Sequence, residues 1–437
     1  MKNPRIAIIS FPGTNGDVEN LRCLRRNGFD AFVFRWNDST DRLSDVDGYF
    51  LGAGFSYEDR GRAGMVAARD PFFQFLHEEA EKRKVIVGHC NGCQVLIESG
   101  LIPLGKELTM CMARNAVSSF EPFDGAQDRR PQDDTQWKAP GFLNEWIWIT
   151  PSCKPDRCAT SDWNGAMHIP IAHGEGRFVT KDADLIKELR KNDQIAFQYC
   201  DVDGNVSEDA SVTLNGSTNA IAGICNPAGN VVAMMPHAER TLNGDPYFAS
   251  MKRWIERHKT EDVRHKANLT SYVLHLPKDI AERSPRPTEI FIATIIVNNE
   301  ERTVEQAARR IVPDLNLKQF RYMAPGEKSA EEILMTIALF NPNKESAYIR
   351  KNNQWSKWNP DEKQFEDAKN PLQSTSLLRR DEPDVGASNL GKGSPSTSSG
   401  GAETGVCYSF ESASDEIGPE LQEIFANPHA SKLEKIL

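Results

Sequence analysis

Short β-rich apolar runs alternate with helix-patterned segments through the first 115 residues, and this alternation constrains the fold more than any other feature. Ile6 to Ser10 reads as a strand, Gly13-Thr14-Asn15-Gly16 as a turn and Asp17 to Asn27 as a helix. Further strand-like runs stand at Ala31 to Arg35, Gly48 to Leu51 and Val85 to Val87. Strands alternating with helices build βαβ units. The expected fold is therefore α/β, a mostly parallel sheet flanked by helices with functional loops at the carboxyl ends of the strands. Strand character returns at Asn144 to Ile149, Ile169 to Phe178, Ile195 to Asp201, Ala220 to Ile224 and Val231 to Met235, and a helix around Tyr247 to His258 closes a first domain, 1–260. Within it, residues 121–141 are polar and without period, which reads as a loop insertion.

The chain of 437 residues leaves room for a second unit. Residues 261–287 read as a linker with a strand candidate at Ser271 to Leu276. Residues 288–350 form a smaller α+β unit: strand Ile290 to Val297, helix Thr303 to Val312, strand Gln319 to Met323, helix Ser329 to Leu339 and strand Ser346 to Arg350. Its length is near the lower limit for an independent core, so docking on the first domain or on a partner is expected. Residues 351–418 include KGSPSTSSGGAETG and are expected to be mostly disordered, because such composition buries too little apolar area to offset chain entropy. Residues 419–437 read as a final helix and strand.

Lysine and arginine number 52 against 62 acidic residues, a net charge of −10, which argues against nucleic acid or an anionic membrane as partner. The first apolar run is too short for a signal peptide or a membrane span, so a cytoplasmic location is expected. Thiols stay reduced there, and the nine scattered cysteines are read as neither a disulfide framework nor a metal site.

Residues 85–97, VIVGHCNGCQVLI, are an apolar strand, a turn bracketed by Gly88 and Gly92, and a helix start. That places Cys90 on a nucleophile-elbow turn, where a helix N-terminus favours a thiolate and backbone N–H groups can hold an oxyanion. Cys93, one helical turn on, suits inert packing. In VVAMMPHAER, residues 231–240, a strand ends at Pro236 with His237 beyond it. In an extended segment Glu239 shares its face, so the carboxylate can bond Nδ1 of His237 and leave Nε2 for a thiol. The small residues Gly52-Ala53-Gly54 permit close backbone approach to a substrate. Each feature has a plainer reading by itself: a packed core thiol, a capped histidine, an ordinary glycine turn.

Together the segments FPGTNGD (11–17), GAGFSYEDRGRAG (52–64), GHCNGCQVL (88–96), PIAHGEGRF (170–178), NGSTNAIAGICNPAGNV (215–231) and MMPHAER (234–240) resemble the glutaminase subunit of phosphoribosylformylglycinamidine synthase, a triad amidotransferase of flavodoxin-like fold. The resemblance implies Cys90 as nucleophile, His237 as general base and acid, and Glu239 as its orienting partner. It also implies Gln94 as a glutamine-binding position and the backbone amides of Gly54 and Asn91 as the oxyanion hole. His173, Glu175 and Arg177 would lie apart from the triad and shape the site or a subunit contact. Ammonia from glutamine would pass to a large synthetase subunit that carries ATP and magnesium, with no cofactor in this chain. Ala53, Glu58 and Ala238 depart from the family pattern, and Ala238 replaces a proline that would stiffen the His237 loop. IALFNPNKESAYI and EIFANPHASKLEKI resemble the small accessory subunit of the same synthase, and Asn341-Pro342 and Asn427-Pro428 correspond as an internal repeat. Two other functions stay open: amidotransfer to a different acceptor, and a catalytically silent assembly module.

Overall fold

The computed structural model describes residues 2–105, 107–115, 141–260, 280–326, 328–372, 376–381, 403–411 and 417–436. Contacts divide the chain into two units, Met1–His275 and Leu276–Leu437.

The strands of the first unit are β1 (Arg5–Ser10), β2 (Asp30–Arg35), β3 (Gly48–Leu51), β4 (Val85–His89), β5 (Cys111–Ala113), β6 (Leu143–Pro151), β7 (Met167–His173), β8 (Arg177–Val179), β9 (Ile195–Cys200), β10 (Ile221–Cys225) and β11 (Val231–Met234). Its helices are α1 (Asp17–Arg26), α2 (Met65–Ala68), α3 (Phe72–Glu81), α4 (Asn91–Glu98), α5 (Ala183–Lys191) and α6 (Asp245–Thr260). Nine strands form one sheet in the order β2-β1-β3-β4-β11-β10-β9-β6-β7, and β5 pairs with β8 separately. The run β2-β1-β3-β4-β11 is parallel, and the remaining strands join it antiparallel. β1 shows why both faces are covered. Ala7 and Ile9 point into one core with α3, α4 and α5, whereas Ile6 and Ile8 point into the other with α1 and α6. The strand expected over Ile169 to Phe178 is broken at Gly174 to Gly176. Gly176 lies so close to the His173 ring that a Cβ there would stand 2.1 Å from it, and β8 then leaves for its own ribbon. The expected insertion at 121–141 lies outside the described residues except for Gly141.

The second unit corrects the expectation that residues 351–418 are mostly disordered. Its strands are β12 (Ala281–Arg283), β13 (Thr288–Thr294), β14 (Asn316–Ala324), β15 (Glu345–Lys351), β16 (Gln354–Asn359), β17 (Gln364–Asp367), β18 (Ser376–Asp381), β19 (Glu403–Glu411) and β20 (Leu433–Ile436); its helices are α7 (Asn299–Arg309), α8 (Ala330–Met335) and α9 (Pro419–Phe425). They make one nine-stranded sheet, β12-β20-β18-β19-β14-β13-β15-β16-β17, so four strands fall inside the segment read as low-complexity. Short runs carry them: Trp358 packs with Phe365, and Leu377, Leu378, Cys407, Tyr408 and Phe410 are buried. Averaging over the serine- and glycine-rich stretch hides those runs. Part of the linker is likewise a strand, since Ala281–Arg283 pairs with Leu433–Ile436; Ser271 to Leu276 lie outside the described residues.

The sheet is pseudo-symmetric about the β14·β19 pair. β14 leads to β13 and then β15 on one side, and β19 to β18 and then β20 on the other, all antiparallel. The two Asn-Pro turns match in detail. Asn341 O accepts from Lys344 N and Glu345 N, and Asn341 Oδ1 from Asn343 N. Asn427 O accepts from Ala430 N and Ser431 N, and Asn427 Oδ1 from His429 N. The internal repeat is thus built as the same capped turn twice, leading from α8 into β15 and from α9 into β20.

Candidate active site

Cys90 sits between β4 and α4 with φ 51° and ψ −109°, outside the regions a non-glycine residue ordinarily adopts. The neighbours hold it there. Cys90 N donates to Met234 O at 2.9 Å on β11, and Gln94 N donates to Cys90 O at 3.0 Å. The flanking glycines are required by space: a Cβ on Gly88 would stand 2.5 Å from Gly92 O, and one on Gly92 would stand 2.0 Å from Leu51 O. Asn91 opens α4, so its N–H has no intrahelical acceptor. Cys93 is wholly buried, and burial pushes its thiol well above the ordinary range.

His237 and Glu239 are buried at the end of β11, and His237 Nδ1 lies 2.6 Å from Glu239 Oε1. The pairing arises differently from the sequence argument. Beyond His237 the chain does not stay extended but turns into a single 3-10 helical turn, Ala238–Arg240, which folds the carboxylate back. The turn is fastened despite the missing proline: His237 N donates to Pro170 O at 2.9 Å, and Ala238 packs so closely on Gly244 that a Cβ there would meet its carbonyl at 2.0 Å. His237 Nε2 is buried and makes no hydrogen bond among the described residues, which leaves it for a reacting group. Burial opposes a charge on this ring, but the Glu239 carboxylate and the Cys90 sulfur outweigh it and lift its pKa from 6.5 to about 10. Glu239, likewise opposed by burial, is held well below the ordinary carboxylate range by its two histidine contacts.

A raised histidine pKa contributes stability that is complete below about pH 6.5 and is lost as pH rises through about 10. The urea midpoint advantage of the parent chain over His237→Gln is therefore expected to hold at pH 6 and to shrink steadily toward pH 10. An advantage that instead grows over this range contradicts the assignment.

The loop at 52–64 docks on α4. Ser56 N donates to Asn91 Oδ1 at 3.0 Å, and Asn91 Nδ2 donates to Asp59 Oδ1 at 3.1 Å. Tyr57, Glu58 and Asp59 have φ of 52°, 58° and 52°, a left-handed run that persists because its ends are tied. Gly54, at φ 152°, lies against residues 13–15, where a Cβ would stand 2.7 Å from Thr14 Cα. Arg62 clamps the loop to Glu98 through bonds of 2.8 and 2.7 Å, and Arg69 adds one at 3.3 Å. Replacing Glu98 with alanine leaves two largely buried guanidinium groups without this carboxylate, and a loss of about 3 kcal/mol in denaturant unfolding is expected.

The end of β7 reaches the sulfur, and the loop after it reaches α4. Cys90 Sγ lies 3.5 Å from Ala172 O, and Gln94 Nε2 donates to Glu175 O at 2.6 Å. Gln94 Oε1 already accepts from Asn91 Nδ2 at 3.0 Å. His173 is buried against Asn115, at 3.1 Å from its Oδ1, and burial together with the charge of His237 pushes its pKa down to about 3. Glu175 Oε2 accepts from Ala63 N at 3.3 Å, and Arg177 Nε donates to Arg114 O at 3.1 Å. Sequence reasoning missed Asn115 and Asn215, which bond the carbonyls of His173 and Gly176 and so fix this loop. It also missed His89, whose Nδ1 lies 2.7 Å from Glu239 Oε2. Position beside Cys90 was the only available signal for His89.

The description of a CobB/CobQ-like glutamine amidotransferase domain matches residues 3–123 and 141–270, on either side of the polar segment. The chain belongs to the glutamine amidotransferases. Within that family, the phosphoribosylformylglycinamidine synthase subunit PurQ of Methanothrix thermoacetophila is 38% identical over 275 residues, 59% of this chain and 100% of that protein. The PurQ subunit of Thermomicrobium roseum is 38% identical over 242 residues, 55% of this chain and 88% of that protein. A chain of the solved structure of PurLQS from Thermotoga maritima is 27% identical, with TM-score 0.44, covering 58% of this chain and 99% of its own length. The amidotransferase match ends ahead of the second unit. Among the described residues no helix is long and apolar enough to cross a membrane.

Proposed function

We propose that this amidotransferase hydrolyses glutamine to glutamate and ammonia through a thioester on Cys90, and delivers the ammonia to a large synthetase subunit that makes formylglycinamidine ribonucleotide. The observation that carries the reading is a strained cysteine at a strand-to-helix elbow beside a buried histidine whose Nδ1 is held by a carboxylate. The Cys90 thiolate attacks the side-chain amide carbon, and the oxyanion is met by the N–H groups of Asn91 and Gly54. As the tetrahedral intermediate collapses, the C–N bond breaks and His237 Nε2–H gives its proton to the departing ammonia. Water, deprotonated by the same nitrogen, then attacks the thioester, and the C–S bond breaks to release glutamate and restore the Cys90 thiolate beside protonated His237. Gln94 Oε1 keeps a second lone pair for the ammonium of bound glutamine. His173, Glu175 and Arg177 shape the loop over the site.

No cofactor is assigned to this chain; ATP and magnesium belong to the synthetase. The partners proposed are that subunit and, through the second unit, the role of a small accessory subunit, in the cytoplasm. The test is amidine synthesis by this chain mixed with the synthetase subunit. Equal competence with glutamine and with ammonium salts is expected; synthesis from ammonium salts alone would leave only an assembly role.

A further inference from the structure

His89 is the last residue of β4, one position ahead of Cys90, and is wholly buried. Its ring stands edge-on to Phe50, with centroids 4.9 Å apart, and to Tyr247 at 5.0 Å, with Phe248 at 6.0 Å. In this aromatic box the only hydrogen bond of the side chain among the described residues runs from Nδ1 to Glu239 Oε2 at 2.7 Å; Nε2 has none. The tautomer with the proton on Nδ1 is the one that leaves no N–H orphaned among the rings. Glu239 therefore gives one oxygen to each of two histidines, Oε1 to His237 at 2.6 Å and Oε2 to His89 at 2.7 Å, with Arg240 Nε 4.0 Å from Oε1. A carboxylate with one partner can turn about its last torsion, which is broad. One held at both oxygens cannot turn without breaking a bond.

We propose that His89 is a positioning residue for glutamine hydrolysis: by holding Oε2 of Glu239 it keeps Oε1 on Nδ1 of His237 and so keeps Nε2 of that base toward the Cys90 sulfur. The inference rests on the thioester reading and deepens it. The backbone strengthens the arrangement. His89 is bonded directly to Cys90, whose N–H is fixed on Met234 O, so one carboxylate is referenced to the nucleophile's own peptide and to the base at once. Burial works against the charge of Glu239, and the His89 contact is among those that overcome it.

The test compares His89→Phe, which fills the box and removes the donor, with His89→Asn, whose Nδ2 is attached at Cγ just as Nδ1 of histidine is. Two quantities are measured on the full chain: the pH dependence of Cys90 alkylation by iodoacetamide, located by fragmentation of the peptide it shares with Cys93, and kcat and KM for glutamine with the synthetase subunit present. His89→Phe is expected to lower kcat roughly 10- to 100-fold, as loss of an outer hydrogen-bond partner does elsewhere. KM should stay nearly unchanged and the alkylation profile should move to higher pH, because a less firmly held imidazolium supports the thiolate less. His89→Asn should recover most of kcat and the original profile. The proposal is overturned if His89→Phe matches the parent in both measurements, or if His89→Asn melts normally yet is as impaired as His89→Phe. Should the phenylalanine fail to fold, His89→Leu takes its place in the same comparison. Cys90→Ala run alongside separates the two levels: if it too retains glutaminase activity the thioester reading fails, whereas if it alone is inactive only the role of His89 fails.

Discussion

Cys90→Ala is expected to lower glutamine hydrolysis by at least about 10⁴-fold, since removing the nucleophile of a cooperating set costs nearly everything the set supplies. Synthesis from ammonium salts by the same chain with its synthetase should be untouched, because ammonia enters after the step that Cys90 performs. The split between the two nitrogen sources is the informative quantity, as misfolding of the chain would lower both. Cys93 cannot substitute: it is buried within α4, and burial holds its thiol well above the ordinary range. A variant that loses both activities together would point to a structural role for Cys90. Steady-state assays with glutamine and with ammonium chloride at matched protein concentration decide between these outcomes.

Gly92→Ala is expected to damage the site by an entirely different route. The added methyl would stand 2.0 Å from Leu51 O and 2.6 Å from Leu51 C, both backbone atoms of a central strand with no room to retreat. Relief requires α4 to move away from β3, at a cost of about 3 kcal/mol. That movement also withdraws the N–H of Asn91 and pulls Gln94 from the Glu175 carbonyl that holds it, so kcat should fall even in the folded fraction. Urea unfolding followed by tryptophan fluorescence, with glutaminase activity measured on the same preparation, checks both parts. An unchanged midpoint would mean that the elbow tolerates an outward shift of α4. Gly105, with nothing within 4 Å of its would-be Cβ, sets the scale: at φ 86° an alanine there meets backbone strain but no collision.

Much of the first unit was legible because period and chemistry agreed. The β1 to β4 runs have apolar alternation or continuous burial, so a mostly parallel sheet and the position of Cys90 at a strand end were readable, whereas the strand order was not. The placement of Cys90, His237 and Glu239 was legible for the same reason, each lying at the end of a strand or just beyond it. The geometry between them was not. Glu239 reaches His237 through a 3-10 turn rather than along an extended strand, a difference that residue types alone do not encode. The segment 173–177 was read as shaping the site or a subunit contact; its approach to the elbow depends on the antiparallel end of the sheet, where Ala172 O on β7 comes within 3.5 Å of Cys90 Sγ and Glu175 O accepts from Gln94, and sequence pattern does not encode such pairings. His89 was passed over because a buried histidine gives no periodic signal of its own. In the second unit the error came from composition: the serine- and glycine-rich stretch masked the short apolar runs on either side of it, and a charged strand residue such as Arg379 is paired inside the sheet with Glu434 at 3.0 Å.

Glutamine hydrolysis by this route passes through one covalent intermediate, a thioester on Cys90. The complex with its synthetase subunit, mixed with glutamine and quenched in acid within the first turnover, can be digested and the cysteine peptides fragmented in a mass spectrometer, which separates Cys90 from Cys93 on the peptide they share. A γ-glutamyl group on the peptide carrying Cys90, absent from Cys93 and lost on longer incubation as glutamate appears, is the predicted result. Glutamate released at the full rate with no adduct on Cys90, or with the adduct on another residue, would contradict the account.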